Sequence, residues 1–286
     1  MPRPTTTTHT TLPFANELLK AAGVVVAGVA FTFVTVVSWG ASLKPPTTGC
    51  CCCSCAERLE IFDARSETYE QCVTRDEFWL FVPLLRWWLL RHAKGDVLEI
   101  ATGTGANFEY YPKHCAVTAT DGSQKMLQVA AKKRTPQIVA LQKVDVIHDV
   151  PPQTKKFDTV VDSFGLCSFD DPVAALRNAQ RSCKSDGQIL LLEHGRSHYT
   201  WLNNFLDLYA AKHLQRWGCS WNRDILEIVR EAGLRVDFLS RWHFGTTYLL
   251  IASPDPALCG GAAEDEDRTS HQSPPQQQQQ QQETTT

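Results

Sequence analysis

Gly95-Asp-Val-Leu-Glu-Ile-Ala-Thr-Gly-Thr-Gly105 is the stretch on which the fold turns. Residues 97–100 read as a short buried strand, and the glycines after it as a tight turn. Upstream, residues 57–94 read as helix, with Phe78, Leu80, Leu84, Leu85, Trp88 and Leu89 recurring at helical spacing until Gly95 stops it. Downstream the alternation repeats. Strands are expected over 117–120, 138–146, 159–164 and 188–192, with helices over 124–133, 173–183, 201–215 and 223–232. Two longer strands, 235–242 and 246–252, close the domain. Only His243-Phe244-Gly245 separates them, too short a link for a parallel crossover, so they are expected to be antiparallel neighbours. The pattern predicts an α/β fold: a doubly wound, mostly parallel seven-stranded sheet with an antiparallel closing strand pair. A ligand of such a sheet sits beyond the strand ends, where the strand order reverses.

The bulk composition hides three kinds of sequence. The chain has 286 residues, 43% of them hydrophobic and 21% charged, and a net charge of −3. That balance excludes a collagen-like or wholly disordered chain, and gives no support to nucleic-acid binding through a basic surface. Residues 1–55 are net positive, through Arg3, Lys20 and Lys44 against Glu17. Residues 255–286 are acidic and end in a run of glutamines, and the stretch between is neutral. We read 1–20 as a disordered leader, 21–43 as a transmembrane helix, 44–56 as a Cys-rich linker, 57–254 as the folded domain and 255–286 as a disordered tail. The 23 uncharged residues of 21–43 lie between Lys20 and Lys44. As a helix they reach ~34 Å, enough to cross a hydrocarbon core of ~30 Å.

Of eleven cysteines, Cys50 to Cys53 and Cys55 are clustered and six are scattered. Neither set has the spacing of a disulfide framework, which fits a reducing compartment. Five near-adjacent cysteines cannot converge on one ion, so no metal site is expected. Juxtamembrane palmitoylation of the cluster and a plain linker both stay open. Cys167 reads as a buried thiol, and Trp87-Trp88 as core or membrane-interface packing.

The chemistry gathers at the expected crossing point. Gly103 and Gly105 let the backbone approach a ligand. Asp121, 22 residues after Glu99, ends the second strand, where its carboxylate can accept hydrogen bonds from ribose hydroxyls. That spacing suits any adenosine cofactor. The whole set of motifs says more. The Gly95–Gly105 stretch, Thr118-Ala-Thr-Asp-Gly-Ser-Gln-Lys-Met-Leu127, Phe157-Asp-Thr-Val-Val-Asp162 and Asp186-Gly-Gln-Ile-Leu-Leu-Leu-Glu-His194 resemble the motifs of class I S-adenosylmethionine-dependent methyltransferases. The likeness covers about residues 60–253. Within the class the chain is most similar to membrane-anchored alkyl thiol methyltransferase-like proteins and to mitochondrial inner-membrane enzymes of the Oms type. Cys167-Ser168, Asp171-Pro172, Leu192-Glu-His194, Trp201, Asn203, Asn204, His213, Gly218-Cys219 and Arg223-Asp224 carry that likeness. Quinone-ring methyltransferases are more distant. Ala101 stands where many members have the first glycine of the loop.

The resemblance implies S-adenosylmethionine as cofactor and assigns roles. Glu99 orients the loop near the methionine amino group. Ala101, Gly103 and Gly105 surround the methionine part. Asp121 holds the ribose, with Gly122 beside it. Asp145 and Val146 flank the adenine, and Ser163 lies beneath the transferring methyl. Glu193 and His194, at the end of the fifth strand, are the catalytic candidates if the nucleophile must lose a proton. His198 and His213 are weaker candidates. The expected partners are a small, apolar acceptor, a membrane and a membrane protein complex. The expected place is the mitochondrial inner membrane, with the endoplasmic reticulum second. Two other readings stay open: a pseudoenzyme supporting assembly of a membrane complex, and a nucleotide-dependent oxidoreductase. The second calls for a third glycine where Phe108 stands.

Overall fold

The computed structural model describes residues 55–149 and 156–259. The leader, the helix expected at 21–43, Cys50 to Cys53 and the tail beyond Cys259 lie outside the described residues. Among the described residues no helix is long and apolar enough to cross a membrane.

Three helices lead into the sheet: α1 (Cys55–Arg65), α2 (Tyr69–Trp79) and α3 (Val82–Leu90). The single helix expected over 57–94 is thus corrected to three. At the first break Ser66 Oγ donates to the Asp63 carbonyl (3.1 Å) and Thr68 Oγ1 to that of Arg65 (3.3 Å), side-chain bonds that compete with continued helix. At the second, Phe81 adopts φ 54°, ψ 22°, and Pro83 sits in the first turn of α3. Proline fits there but would collide with the preceding turn inside a helix.

The sheet follows. Strands β1 (Asp96–Ile100), β2 (Ala116–Asp121), β3 (Ile138–Lys143), β4 (Phe157–Ser163), β5 (Cys183–His194), β6 (Arg235–Trp242) and β7 (Thr247–Ser253) lie in the order β3-β2-β1-β4-β5-β7-β6. The first five are parallel. β7 is antiparallel to both β5 and β6 and lies between them. The order reverses between β1 and β4, which places the crevice where the glycine turn leaves β1.

Helices α4 (Gln124–Ala131), α5 (Pro172–Ser182), α6 (Thr200–Trp217) and α7 (Ile225–Glu231) connect the strands, and a short helix α8 (Pro256–Cys259) follows β7. Three of them start on a side-chain cap: Ser123 accepts from the Met126 N–H, Asp171 from Ala174 and Asp224 from Glu227. Two apolar cores cover the two faces. Ala175, Leu176 and Ala179 of α5 with Ile225 and Val229 of α7 pack on Leu98, Ile100, Val160 and Leu191. Val82, Leu85, Leu89 and Leu90 of α3 with Ala130 of α4 pack on Val97, Val117, Val161, Leu190 and Leu192. This alternation of facing residues makes the sheet doubly covered.

Two strands differ from expectation by three residues or more. The third ends at Lys143 instead of 146, because Asp145 accepts the Ile147 N–H on Oδ1 (3.1 Å) and turns the chain. The fifth begins at Cys183, ahead of the apolar run, where Cys183 pairs with Phe157.

Candidate active site

At the carboxyl ends of β1, β2, β4 and β5 lies a cavity of about 530 Å³. Every residue assigned to the cofactor by resemblance lines it, except Gly105: Glu99, Ala101, Gly103, Asp121, Gly122, Asp145, Val146 and Ser163. The loop after β1 wraps through three left-handed residues, Ala101 (φ 48°), Gly103 (φ 55°) and Gly105 (φ 77°). A Cβ on Gly103 would meet nothing within 4 Å, so this residue leaves open space. A Cβ on Gly105 would lie 2.6 Å from the Phe108 ring, so the second glycine serves packing. Ala101 is accommodated from the other side of the crevice: a Cβ on residue 165 would lie 2.2 Å from Asp162 Oδ1 and 2.8 Å from the Ala101 methyl, and residue 165 is glycine. Phe164, leaving β4, is also left-handed (φ 59°), so strained backbone flanks the crevice on both sides.

Asp121 organises the loop. Its Oδ2 accepts the Gly103 N–H and its Oδ1 the Ser123 N–H, both at 2.8 Å. Burial pushes its pKa up to about 6, against the pull of these two bonds. Glu99 is buried and accepts from Asn107 Nδ2 on Oε1 (3.0 Å) and from Tyr111 OH on Oε2 (2.8 Å). Asn107 Nδ2 also donates to Ser163 Oγ (3.1 Å), and its Oδ1 accepts from Arg86 Nη1 (2.8 Å). Arg86 in turn pairs with Glu77 (2.8 Å). Sequence reasoning missed Asn107, Tyr111 and Arg86. The available signal was Arg86 itself, a lone charge inside Val-Pro-Leu-Leu-Arg-Trp-Trp-Leu-Leu, which must find partners when that helix is buried.

Burial raises the Glu99 pKa to about 7, outweighing its hydrogen bonds. An acid raised on folding binds more protons folded than unfolded between the two values, so stability falls as pH rises through that window. From the ordinary value of 4.5 to about 7, the loss attributable to Glu99 is about 3 kcal/mol, and it persists above pH 7. Urea unfolding of the wild type and of Glu99→Gln from pH 5 to 8 checks this. The wild type is expected to lose stability relative to the variant up to pH 7 and to run parallel to it beyond.

The two catalytic candidates part company. His194 lines the cavity; Glu193 does not. Successive strand residues face opposite sides, and Glu193 is fully buried behind the strand end, as is Asp162. Their carboxyl groups face each other and the Gly165 N–H. Burial, and for Glu193 also the charge of Asp162, pushes both well above the carboxylate range. His194 meets Cys167 and Cys219, and its Nε2 lies 2.8 Å from Cys219 Sγ. A hydrogen bond from Cys219, then the charge of His194, pulls Cys167 well below the ordinary thiol value against its burial. Burial pulls His194 down, but Cys167 more than offsets it and leaves it raised. Burial pushes Cys219 well up. His213 stacks on Trp221 at 3.9 Å and is lowered to about 4 by burial and by His194. His198 does not line the cavity.

Residues 98–191 match the family model described as a methyltransferase domain. The mitochondrial methyltransferase OMS1 of Saccharomyces cerevisiae is 34% identical over 216 residues, which cover 68% of this chain and 46% of that protein. The human thiol S-methyltransferase TMT1A is 29% identical over 147 residues, covering 49% of this chain and 59% of that protein. The chain thus spans about half the length of these relatives. The solved DhpI–SAH complex superposes with a TM-score of 0.54 at 19% identity, over 71% of this chain and 97% of the other, a likeness of fold. By motif, strand order and these relatives, the described domain belongs to the class I S-adenosylmethionine-dependent methyltransferases.

Proposed function

We propose that the chain is a membrane-anchored, S-adenosylmethionine-dependent methyltransferase acting on a small, apolar acceptor. One observation carries the reading: a single cavity joins the glycine loop and Asp121 at β1 and β2 to an aromatic, sulfur- and imidazole-bearing wall at β5 and α6. Three strand spacings separate β2 from β5, about 14 Å, room for a nucleoside at one end and an acceptor at the other.

The residues fit the cofactor. Gly103 has open space where any side chain would project, and Asp121 keeps lone pairs free beyond its two backbone bonds. In this reading Asp121 accepts the ribose hydroxyls and Gly103 admits the methionine part. Glu99 holds the loop through Asn107 and offers negative charge to the amino group. Val146 and Asp145 flank the base. When bound, the cofactor supplies a methyl group on a positively charged sulfur. The chain's task is alignment, worth up to ~7–11 kcal/mol for a well-oriented pair. His194 Nε2 is the atom placed to take a proton from an acceptor that must lose one.

Several features support a membrane setting. Phe78, Trp79, Phe81 and Phe244 are each more than half exposed. The two segments that bear them are joined by the contact of His243 Nε2 with the Leu80 carbonyl (2.8 Å), and Leu80 also lines the cavity. An apolar surface of this kind at a cavity mouth suits an acceptor arriving from lipid. The 21–43 segment would hold it there. The mitochondrial relative favours a mitochondrial membrane, and the thiol methyltransferase relative favours a small-molecule acceptor.

The test incubates membranes bearing the full chain with cofactor labelled in the methyl group, and profiles labelled small molecules. At least one apolar product is expected that disappears with Asp121→Ala. Label found only in protein or nucleic acid would overturn the acceptor class, and no label transferred at all would overturn the enzyme.

A further inference from the structure

The acceptor end of the cavity holds a constellation that cofactor binding does not use. Cys167 lies in the turn after β4, His194 at the end of β5 and Cys219 just beyond the left-handed cap Gly218 of α6. Their sulfur and nitrogen atoms all lie within 4.8 Å of one another. We propose that these three side chains form a binding site for a soft or borderline divalent cation, Zn²⁺ by chemistry, with its fourth position open to the cavity.

The donor set argues for such an ion. Two thiolates and a neutral imidazole balance a 2+ charge, so the loaded site is neutral and tolerates burial. Sulfur and imidazole donors exclude calcium and magnesium, which take oxygen. Zinc bonds of ~2.3 Å to sulfur and ~2.0–2.1 Å to nitrogen place tetrahedral ligands about 3.5–3.8 Å apart. The 2.8 Å His194 Nε2–Cys219 Sγ contact opens by less than about 1 Å to reach that spacing, and the other pairs, within 4.8 Å, need change by about 1 Å at most.

The scaffold holds the donors together. The Ser220 N–H donates to the Cys167 carbonyl at 2.8 Å, which clamps the two cysteine-bearing segments to each other. Arg223 Nη2 adds a second tie, to the Phe169 carbonyl at 2.5 Å. The Ser168 hydroxyl lies 3.5 Å from Cys167 Sγ, placed to donate to a thiolate. All three donors line the cavity wall, so protein fills three positions and leaves the fourth to water or a ligand. Three protein ligands and one open position are the arrangement of catalytic rather than structural zinc. With the ion bound, His194 is a ligand and no longer a base, so the cation at its open position takes over the activation of the acceptor assigned to His194 above; that role rests on the function proposed above, and the site itself does not.

The test uses the full chain, purified with a thiol reductant and without chelator. Metal analysis is expected to find about one zinc per chain. Replacement by Co²⁺ is expected to give a thiolate-to-cobalt charge-transfer band and the strong visible bands of a tetrahedral centre. Cys167→Ser and Cys219→Ser are each expected to lose the charge-transfer intensity of one thiolate and to weaken zinc binding at least tenfold. Cys183→Ser, a buried cysteine outside the cluster, is expected to leave both unchanged. Absence of a charge-transfer band in the wild type, a band indifferent to both substitutions, or a Cys167–Cys219 disulfide in the freshly purified protein would overturn the site. Binding of S-adenosylhomocysteine, followed in parallel by calorimetry, separates the two readings. Cofactor binding without metal removes the site and leaves the methyltransferase, and metal without cofactor does the reverse.

Discussion

Asp121→Ala is expected to weaken binding of S-adenosylhomocysteine by ~10²–10⁴-fold while leaving a folded protein. In the proposed reading the carboxylate accepts two ribose hydroxyls, and hydrogen bonds to a charged group contribute about 1.5–3 kcal/mol each. Two of them lost give that range. The cost in stability is smaller than the two broken backbone bonds suggest. Those bonds, from Gly103 and Ser123 at 2.8 Å, hold a carboxylate that burial already pushes up to about 6. Removing the group removes its desolvation cost along with its contacts, so a loss of about 1–3 kcal/mol is expected. Asp121→Asn keeps one carbonyl oxygen for a backbone N–H, and is expected to recover much of the stability but little of the affinity. Titration calorimetry and urea unfolding of the three proteins read both effects. An alanine variant that binds within threefold of the wild type would remove Asp121 from the cofactor site.

Much of the architecture was open to sequence reading because the sheet is covered on both faces. Ile189, Leu190, Leu191 and Leu192 are all fully buried, and such a strand reads as an unbroken apolar run. The glycine turn and Asp121 were legible because backbone geometry and charge at a strand end leave few substitutes. Helix boundaries were harder. Pro83 sits in an apolar periodic stretch, and periodicity continues across the break it marks. The position of β7 between β5 and β6 could not be read, since a hairpin can add to a sheet by either strand.

The site was legible where it is local and hidden where it is assembled. Glu99, Asp121 and Ser163 each end a strand or lie beside its end. Asn107 is fixed at the cavity only through three partners drawn from β1, β4 and α3. Cys219 reaches Cys167 through the folding back of α6, and a clamp between Ser220 and Cys167 has no trace in spacing. The assignment of Glu193 and His194 as paired candidates came from adjacency in a motif. Strand alternation sends adjacent residues to opposite faces, and that rule separates them.

The three left-handed residues of the loop should respond in three different ways, which tests whether the cavity beside Gly103 is the cofactor's. Gly105→Ala is expected to destabilise most. Its methyl would lie 2.6 Å from the ring of Phe108, which is 1% exposed and cannot swing away. Overpacking of about 1–3 kcal/mol adds to left-handed strain of about 1–2 kcal/mol, so the midpoint of unfolding should fall sharply. Gly103→Ala carries the same backbone strain but meets no protein atom within 4 Å. Its stability should fall by only about 1–2 kcal/mol, whereas affinity for S-adenosylhomocysteine should fall at least ~30-fold, because the methyl enters space the ligand needs. Ala101→Gly relieves the strain at φ 48° and gives up a methyl packed toward Gly165. Relief and the added chain entropy nearly cancel, so stability should change by less than about 1 kcal/mol and affinity by less than threefold. Calorimetry with unfolding curves for the three variants distinguishes the outcomes. Equal loss of affinity and stability in Gly103→Ala would mean that the loop is a structural turn, and that the open space beside it is not where the cofactor lies.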